Sequence, residues 1–539
     1  MTTRRQLTAL DLFCGCGGFT LGMERAGFRT LAAIDANPQA VAVHQHNFPK
    51  IPHVLEKDLT KFRPDHLDAL LNGERVDVIV GGPPCQGFSP ARRRDGANHG
   101  ERIIADARRE LYQEFLAYVA YYQPQVFVME NVLGIKSAAG GEFFTRVQEE
   151  ARALGYRVHD EEVHAWHYGV PQKRMRQLII GTRRELPIFV AWRHMPIQFA
   201  APEDHLENLF PPVVTLWEAI GDLPPLTAGQ VQEEREYDLR RRQSQLARYT
   251  GRYIKKVLQV HCTKTLTAHS ARPHSDRDLR DFQLLLEGES SAVAMRERHV
   301  RFEWPYSKEH FKDRYTRQHR NRLCSTIVAH LSKDGLMFIH PTQTRSLTPR
   351  EAARLQTFPD WFAFPVERTH QFRLIGNAVP PLLGEAVGRA VRRYLTAAKR
   401  AENRRGRLAP LPHDERQAVE WLQPLLAAAN DHTLETVSDP DFRRGWFSIG
   451  FIHNRLHPDG AAANGKRQIE GQTEMPLVSR LAPDAVTPVF AQSGWPVKLV
   501  PVAEEAFRRF DNGQLREEEF YCSEAQMAGA QRLKKGGAA

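Results

Sequence analysis

Short apolar runs alternate with longer amphipathic stretches along the first third of the chain. The runs LTALDLFCG, FRTLAAID, VDVIVGG, QPQVFVMEN and QLIIGT have the length of strands, and GFTLGMERAG, ANPQAVAVHQHNF and ARRELYQEFLAYVAYYQ between them have helical spacing. Regular alternation of strands and helices is typical of a doubly wound α/β sheet. We therefore predict such a sheet over residues 1–190.

The alternation fades between about residues 191 and 340. This region is rich in Pro, His and Arg, with basic clusters at 240–242 and 255–256, and it interleaves them with aromatic residues: Tyr249, Tyr253, Trp304, Tyr306 and Tyr315. The composition predicts a second domain of irregular or mixed structure.

Helical spacing returns in TRSLTPREAARLQTFPDWF and QFRLIGNAVPPLLGEAVGRAVRRYL. Thr348 is predicted to cap a helix whose first residue is Pro349. Residues 341–398 are therefore interpreted as a returning part of the first domain. The charged stretch AAKRAENRRGRLAPLPHDERQ then predicts a linker into a C-terminal extension, residues 399–539, in which no motif is interpretable.

The composition narrows the class of protein. The 539 residues include 74 Lys and Arg against 64 Asp and Glu, a net charge of +10 that suits a polyanionic partner without identifying one. The six cysteines form no CxxC pair and no zinc-type spacing, and the chain begins with MTTRRQ, so we expect free thiols, no metal and a cytoplasmic location. No run of about 18 apolar residues suggests a membrane span.

A glycine turn follows the first predicted strand. Gly15, Gly17 and Gly18 join a strand ending near Phe13 to a helix, and Asp35 follows about 20 residues later, where an acid can bind ribose hydroxyls. Asp58, expected to close the third strand, could accept a hydrogen bond from an adenine amino group. A purely structural glycine turn is the alternative, and the spacing is not GxGxxG. The pattern indicates a nucleoside-bearing cofactor and favours S-adenosylmethionine.

Cys85 is framed in an unusual way. It lies in VDVIVGGPPCQGFSPARRRDG, directly after a predicted strand, at the edge where open α/β sheets bind ligands. Positive charge favours the nucleophilic thiolate, and Arg92, Arg93 and Arg94 could supply it, although a run of arginines is more often a solvated or phosphate-facing loop. Taken alone, the cysteine is more simply interpreted as a small buried hydrophobic residue.

Two further stretches favour the reactive interpretation. Glu130 ends another apolar strand at the same sheet edge, where packing gives no reason for an acid. Gln172, Arg174 and Arg176 alternate on entering a strand, so their side chains are expected to share one face. A thiol, a carboxyl group and two guanidinium groups are thus predicted to converge.

The ordered motifs DLFCGCGGF, GGPPCQGFS, MENV, QKRMR, RSLTPREAARLQTFP and IGNAVPP resemble those of the DNA (cytosine-5) methyltransferase family over about residues 8–395. The resemblance implies a Rossmann-like S-adenosylmethionine-dependent methyltransferase sheet, a separate target-recognition domain at 191–340 and double-stranded DNA as substrate. It leaves residues 399–539 without a counterpart.

The resemblance also implies the role of each catalytic residue. Cys85 would add to C6 of cytosine and make C5 able to accept a methyl group. Glu130 would hydrogen-bond or protonate N3, Arg176 would contact O2, and Arg174 would help to hold the site. The base would be flipped out of the duplex, and the loop after Cys85 would close over it.

The resemblance further implies that Arg345 and the TPREAARLQ stretch brace the fold around the recognition domain. It also implies a pocket for the cofactor. The residues expected to line this pocket are Phe13, Gly15, Asp35, Asp58, Pro83, Asn377 and Val379.

Two other functions remain open at this point. A tRNA cytosine methyltransferase would share the chemistry, although the long basic region argues against it. A catalytically idle DNA-binding scaffold is disfavoured by the intact set of Cys85, Glu130, Gln172, Arg174 and Arg176. The family's usual role implies restriction-modification or phage defence in a bacterial cell, near the nucleoid, with the extension as a possible site for other defence proteins.

Overall fold

A computed structural model of the protein describes most of the chain up to residue 405. The described residues are 5–84, 111–137, 141–184, 186, 189, 194–201, 210–231, 235–236, 253–262, 265–304 and 315–405, with two short segments at 474–475 and 498–499.

A seven-stranded sheet organises the first part of the chain. Its strands are β1 (Thr8–Leu12), β2 (Arg29–Asp35), β3 (His53–Glu56), β4 (Val78–Gly81), β5 (Val126–Asn131), β6 (Tyr156–His164) and β7 (Met175–Arg183), in the order β3-β2-β1-β4-β5-β7-β6. The first five strands in the sheet are parallel and β7 is antiparallel to β5. The predicted doubly wound α/β class is confirmed.

Burial explains why the sequence predicts the central strands from their apolar runs. Every residue of β1, β4 and β5 is buried, as expected for parallel strands covered on both faces. The connecting helices are α1 (Gly18–Arg25), α2 (Pro38–Asn47), α3 (Pro64–Leu71), α4 (Leu111–Tyr122) and α5 (Glu142–Ala153).

The part of the chain after β7 is more irregular. Its helices are α6 (Leu216–Ile220), α7 (Asp276–Gln283) and α8 (Ser291–Glu297), and a short antiparallel pair joins β8 (Arg235–Glu236) to β9 (Thr265–Leu266). Single helical turns occur at Leu133–Lys136, Ala165–Tyr168, Tyr253–Val257, Val260–Cys262 and Ala329–Ser332. The basic cluster at 240–242, Tyr249 and Tyr306 lie outside the described residues.

Three helices follow: α9 (Pro349–Leu355), α10 (Arg368–Asn377) and α11 (Pro381–Arg405). The predicted start of α9 is confirmed, because the Thr348 side chain accepts the Glu351 amide in a capping box with Pro349 in the first turn. Farther along, β10 (Glu474–Met475) and β11 (Lys498–Leu499) form a parallel pair.

The described residues of the region predicted to recognise DNA contribute to more than one hydrophobic core. Leu216 and Leu258 pack in the same core as Phe48 of the first part and Phe372 of α10. A separate core is formed by Phe282, Leu285, Ala294, Phe302, Trp304, Tyr315, Leu336 and Ile339. The predicted boundaries at 190/191 and 340/341 stay predictions.

Among the helices of the described part, none is both long and apolar enough to cross a membrane.

Candidate active site

The carboxyl ends of three central strands meet at one sheet edge. In the parallel register, Leu12 of β1 lies opposite Gly81 of β4, and Gly81 lies opposite Met129 of β5. The next residues, Phe13, Gly82 and Glu130, are therefore brought to the same edge. This is the edge at which open α/β sheets bind their ligands.

The glycine loop after β1 has an unusual backbone. Phe13, Gly15 and Gly17 all have positive φ, at 57°, 53° and 95°. At Gly18 a Cβ atom would lie 2.1 Å from the carbonyl oxygen of Val379, so the segment after α10 packs directly on the start of α1. A Cβ at Gly15 would meet no atom of the described residues within 4 Å. The loop thus leaves open space beside Gly15 while its far side is packed.

Asp35 binds this loop at the end of β2. Its carboxylate accepts the backbone N–H of Gly15 at 2.9 Å and that of Asn37 at 2.8 Å. Burial raises the pKa of Asp35, and the backbone N–H groups partly oppose that effect. The open space at Gly15 and the adjacent carboxylate fit a nucleoside with ribose hydroxyls.

Asp58 does not close the third strand as predicted. β3 ends at Glu56, which pairs in register with Asp35, and Asp58 lies two residues farther along in an exposed turn. Its carboxylate accepts the Thr60 hydroxyl at 2.8 Å and amide at 3.0 Å, and the Thr60 hydroxyl lowers its pKa. These local hydrogen bonds favour a turn over a longer strand.

The buried acid Asp11 was missed in the sequence. It lies in β1, is 2% exposed, and accepts the Thr20 hydroxyl of α1 at 2.6 Å. Its Oδ1 has no hydrogen-bond partner among the described residues, and burial raises its pKa to about 7. The available signal was an acid inside the apolar run TALDL.

Cys14 and Cys16 are free, buried thiols of the glycine loop. Burial raises the pKa of Cys16 to about 12 and raises that of Cys14 as well, which disfavours either thiolate. Over the described ranges, no group of three or more His, Cys, Asp or Glu side chains could hold a metal ion.

The segment leading to Cys85 is attached to β5. The Asn131 side chain donates to the carbonyl oxygen of Pro83 at 3.3 Å, and a Cβ at Gly82 would lie 3.3 Å from Glu130 Oε2. The chain therefore runs past Glu130 immediately before Cys85. Cys85 itself, the arginines at 92–94 and the loop predicted to close over a base lie outside the described residues.

Glu130 and Arg176 form an ion pair at this edge. Arg176 Nε lies 2.7 Å from Glu130 Oε1, and both side chains are 11% exposed. Arg176 also donates to the Met175 carbonyl at 2.7 Å. The N–H groups of the described residues are not aligned as hydrogen bonds to Glu130 Oε1. The contact between Glu130 Oε1 and Arg176 is therefore an ion pair without an aligned hydrogen bond.

Arg174 is bound elsewhere. It is 1% exposed and donates to the backbone carbonyls of Ile327 and Ala378, each at 2.9 Å, and more weakly to Gly376 at 3.5 Å. These contacts tie Arg174 to the segment that carries Val379.

Gln172 has a similar bracing role. Its side chain donates to the Leu355 carbonyl at 2.8 Å and accepts the Ile327 amide at 2.9 Å. The three side chains do not converge as predicted, because Gln172 and Arg174 both contact the backbone of Ile327 whereas Arg176 contacts Glu130. β7 begins only at Met175, and the Arg174 amide donates to the Gln172 carbonyl at 2.8 Å, so the chain is not extended there.

The remaining pocket residues lie after α9. Asn377, the last residue of α10, is exposed, whereas Val379 is buried against the start of α1. The glycine loop, Asp35 and Val379 thus lie at one part of the sheet edge. Pro83, Glu130 and Arg176 stand at the neighbouring part.

Comparison with known proteins agrees with this arrangement. The family model for C-5 cytosine-specific DNA methylases matches residues 7–393. The chain belongs to the C-5 cytosine-specific DNA methylase family. It is accordingly a DNA (cytosine-5-)-methyltransferase, and a methyltransferase of this family implies S-adenosylmethionine as cofactor and DNA as substrate.

Individual relatives extend the comparison. The type II methyltransferase M.DdeI of Desulfomicrobium norvegicum is 32% identical, covering 72% of this chain and 89% of its own. M.AgeI of Thalassovita gelatinovora is 30% identical, covering 72% of this chain and 99% of its own. The crystal structure of a prophage-encoded candidate DNA modification methyltransferase from E. coli is 27% identical with a TM-score of 0.56, covering 72% and 99% of the two chains.

Proposed function

We propose that this methyltransferase modifies a flipped-out cytosine in a specific duplex DNA sequence through a covalent bond between Cys85 Sγ and C6. The observation that carries the proposal is the Glu130–Arg176 ion pair at 2.7 Å, beside the Gly82–Pro83 segment that leads to Cys85. The family membership supplies the reaction, and the ion pair supplies the groups that can assist it.

The cofactor is proposed to bind along the glycine loop. The Gly15 region and the Asp35 carboxylate would hold the ribose, Phe13 and Val379 would flank the nucleoside, and Asp58 is exposed for a polar contact. Pro83 and Asn377 complete the proposed lining. When bound, S-adenosylmethionine supplies the electrophilic methyl group.

The protein's part in the chemistry is to activate the ring. The Cys85 thiolate forms a bond to C6, and the electron pair of the C5–C6 bond moves toward C5 and N3. Glu130 must take up a proton to act on N3, where its carboxylic acid then donates a hydrogen bond or that proton, and Arg176 offers its guanidinium to O2, so the developing negative charge is compensated. After C5 is methylated, loss of the C5 proton lets the thiolate leave.

A stacked cytosine hides C6, so the base must leave the duplex to reach Cys85. Residues 191–340 are proposed to read the surrounding sequence. Because the relatives named above are type II methyltransferases, we propose that the enzyme protects host DNA at the nucleoid within a restriction-modification or phage-defence system. Residues 399–539 are proposed to dock other proteins of such a system.

Trapping with 5-fluorocytosine in duplex DNA tests the covalent step. Fluorine replaces the hydrogen at C5, so no C5 proton can be removed and the thiolate cannot leave. The adduct should therefore persist on a denaturing gel when cofactor is present. Wild type and the control Cys262→Ala, which removes an exposed free cysteine, should trap DNA. Cys85→Ala should bind cofactor and DNA but form no adduct. An adduct in Cys85→Ala would refute the assignment, and trapping of tRNA alone would favour the tRNA alternative.

A further inference from the structure

The peptide unit of Gly15 is held at both of its polar groups. Its N–H donates to Asp35 Oδ2 of β2 at 2.9 Å, and its carbonyl oxygen lies 3.3 Å from Nδ1 of His44 in α2. A carbonyl can only accept, so the His44 ring carries its proton on Nδ1 in this contact. Two different elements thus fix one peptide of the loop.

His44 is fully buried beneath the loop. Its ring is 0% exposed and packs against Phe48 with the ring centroids 4.8 Å apart. A Cβ on Gly17 would lie 3.2 Å from the His44 ring and 2.5 Å from Phe48, so the two rings fill the underside of the loop. Burial lowers the pKa of His44 to about 4, which keeps the imidazole neutral near pH 7.

Packing alone does not account for a histidine at this position. Phenylalanine, with a somewhat larger ring, would also pack against Phe48 and would avoid the cost of burying two ring nitrogens. Among the described residues His44 Nε2 has no hydrogen-bond partner, so the Gly15 carbonyl is the polar contact that offsets this cost. The held backbone is also an uncommon one, with positive φ at Phe13 and Gly15.

We propose that His44 is a positioning residue for the cofactor. By holding the Gly15 carbonyl, it fixes the loop around the open space beside Gly15 and Asp35 that a nucleoside would occupy. The inference rests on the proposed function, because it takes this loop as the binding site for S-adenosylmethionine. It assigns to α2 a part in cofactor affinity, in addition to its part in the core.

Two substitutions separate the hydrogen bond from the packing. His44→Phe keeps a ring against Phe48 but removes the donor, whereas His44→Asn keeps a donor near the position of Nδ1 but removes the ring. If His44 positions the loop, cofactor affinity follows the donor and thermal stability follows the ring. A purely structural role would make affinity and stability change together.

Calorimetric titration with S-adenosylmethionine and thermal unfolding are the two measurements. For His44→Phe we expect a Kd about tenfold weaker, equivalent to about 1.4 kcal/mol, and a Tm close to that of wild type. His44→Asn should keep its Kd within about twofold of wild type while its Tm falls. In steady state, His44→Phe should raise the KM for cofactor and leave kcat and the KM for DNA unchanged.

His269 provides the matched control. It is 1% exposed and contacts the Pro224 carbonyl at 2.9 Å and the Thr348 hydroxyl at 3.0 Å. Neither of these two contacts involves the glycine loop. His269→Phe should lower Tm and leave the Kd unchanged. The positioning role would be overturned if wild type binds the cofactor tightly and His44→Phe has a Kd within twofold of the wild-type value. It would also be overturned if His44→Phe and His44→Asn lose cofactor affinity equally. Failure of wild type to bind cofactor would instead overturn the proposed function as well.

Discussion

At the residue scale, burial raises the pKa of the Asp11 carboxyl group in β1. Its only described side-chain donor is the Thr20 hydroxyl, and the nearby carboxylate of Asp35 adds to the cost of ionisation. The folded protein therefore retains a proton on Asp11 at pH values where the unfolded chain has released it.

Asp11→Asn should remove this dependence on pH. The pKa of Asp11 is raised from 3.8 to about 7, so its contribution to stability is full below about pH 4 and is lost as the pH rises toward 7. Relative to the variant, the wild-type free energy of unfolding should fall between pH 4 and 7, by at most about 1.4 kcal/mol per pH unit. Urea unfolding across this range measures it, and a constant difference would contradict the assignment.

Arg176→Met tests the cation beside Glu130. Because the guanidinium is proposed to compensate charge at the cytosine O2, we expect kcat to fall about 100-fold with the cofactor Kd unchanged. Arg183→Met, at the opposite end of β7, is the control and should keep kcat within about twofold. Equal kcat for wild type and Arg176→Met would remove Arg176 from the catalytic set.

At the element scale, α9 is fixed by buried charge. Arg345 donates two hydrogen bonds to Glu351, at 2.9 and 2.7 Å, with both side chains almost fully buried. Glu351 also closes the capping box with Thr348. Burial alone would raise the pKa of Glu351, but Arg345 holds it well below its usual range. Arg345 thus braces the start of α9 through Glu351, and the predicted place of this stretch beside a recognition domain stays a prediction.

Arg345→Met should destabilise the protein by about 3–5 kcal/mol, because it leaves the buried Glu351 charge without its partner. Arg296→Met removes an exposed ion pair with Glu297, whose side chains are 68% and 59% exposed, and should change stability by less than about 1 kcal/mol. Chemical denaturation compares the two variants. A similar small loss in both would show that the Arg345–Glu351 pair does not stabilise α9.

The elements differ in how well the sequence predicted them. β1, β4 and β5 are wholly buried and therefore read as continuous apolar runs, whereas most of β6 is only half-buried and its run YRVHDEEVH carries no such signal. The motif QKRMR identified Arg176 correctly as a neighbour of Glu130. Its alternation was misleading for Gln172 and Arg174, because their contacts come from residues 327–378, which spacing within one segment cannot reveal.

The sequence analysis also did not predict the contacts of His44 and Asp11. His44 of α2 contacts the Gly15 carbonyl of the glycine loop, and Asp11 of β1 accepts the hydroxyl of Thr20 in α1. Asp11 opens the motif DLFCGCGGF and His44 lies in a predicted helix, but the sequence analysis assigned neither of them a role. Only the fold shows that a histidine in ANPQAVAVHQHNF lies beneath Gly15.

At the scale of the whole molecule, the family match ends at residue 393, in the middle of α11. All predicted catalytic and cofactor-binding residues precede that point. A chain ending at residue 405 should therefore retain methyl transfer with kcat and cofactor Kd within about threefold of the full chain. Loss of DNA affinity on truncation would instead assign residues 406–539 a part in substrate binding.

Nucleoside analysis tests the central claim most directly. Duplex DNA is incubated with the full chain and S-adenosylmethionine carrying a deuterated methyl group, digested to nucleosides and analysed by mass spectrometry. Wild type and Cys262→Ala should yield deuterated 5-methyldeoxycytidine, and Cys85→Ala should yield none. Label on an exocyclic amino group of cytosine or adenine, or 5-methyldeoxycytidine formed by Cys85→Ala, would contradict the account.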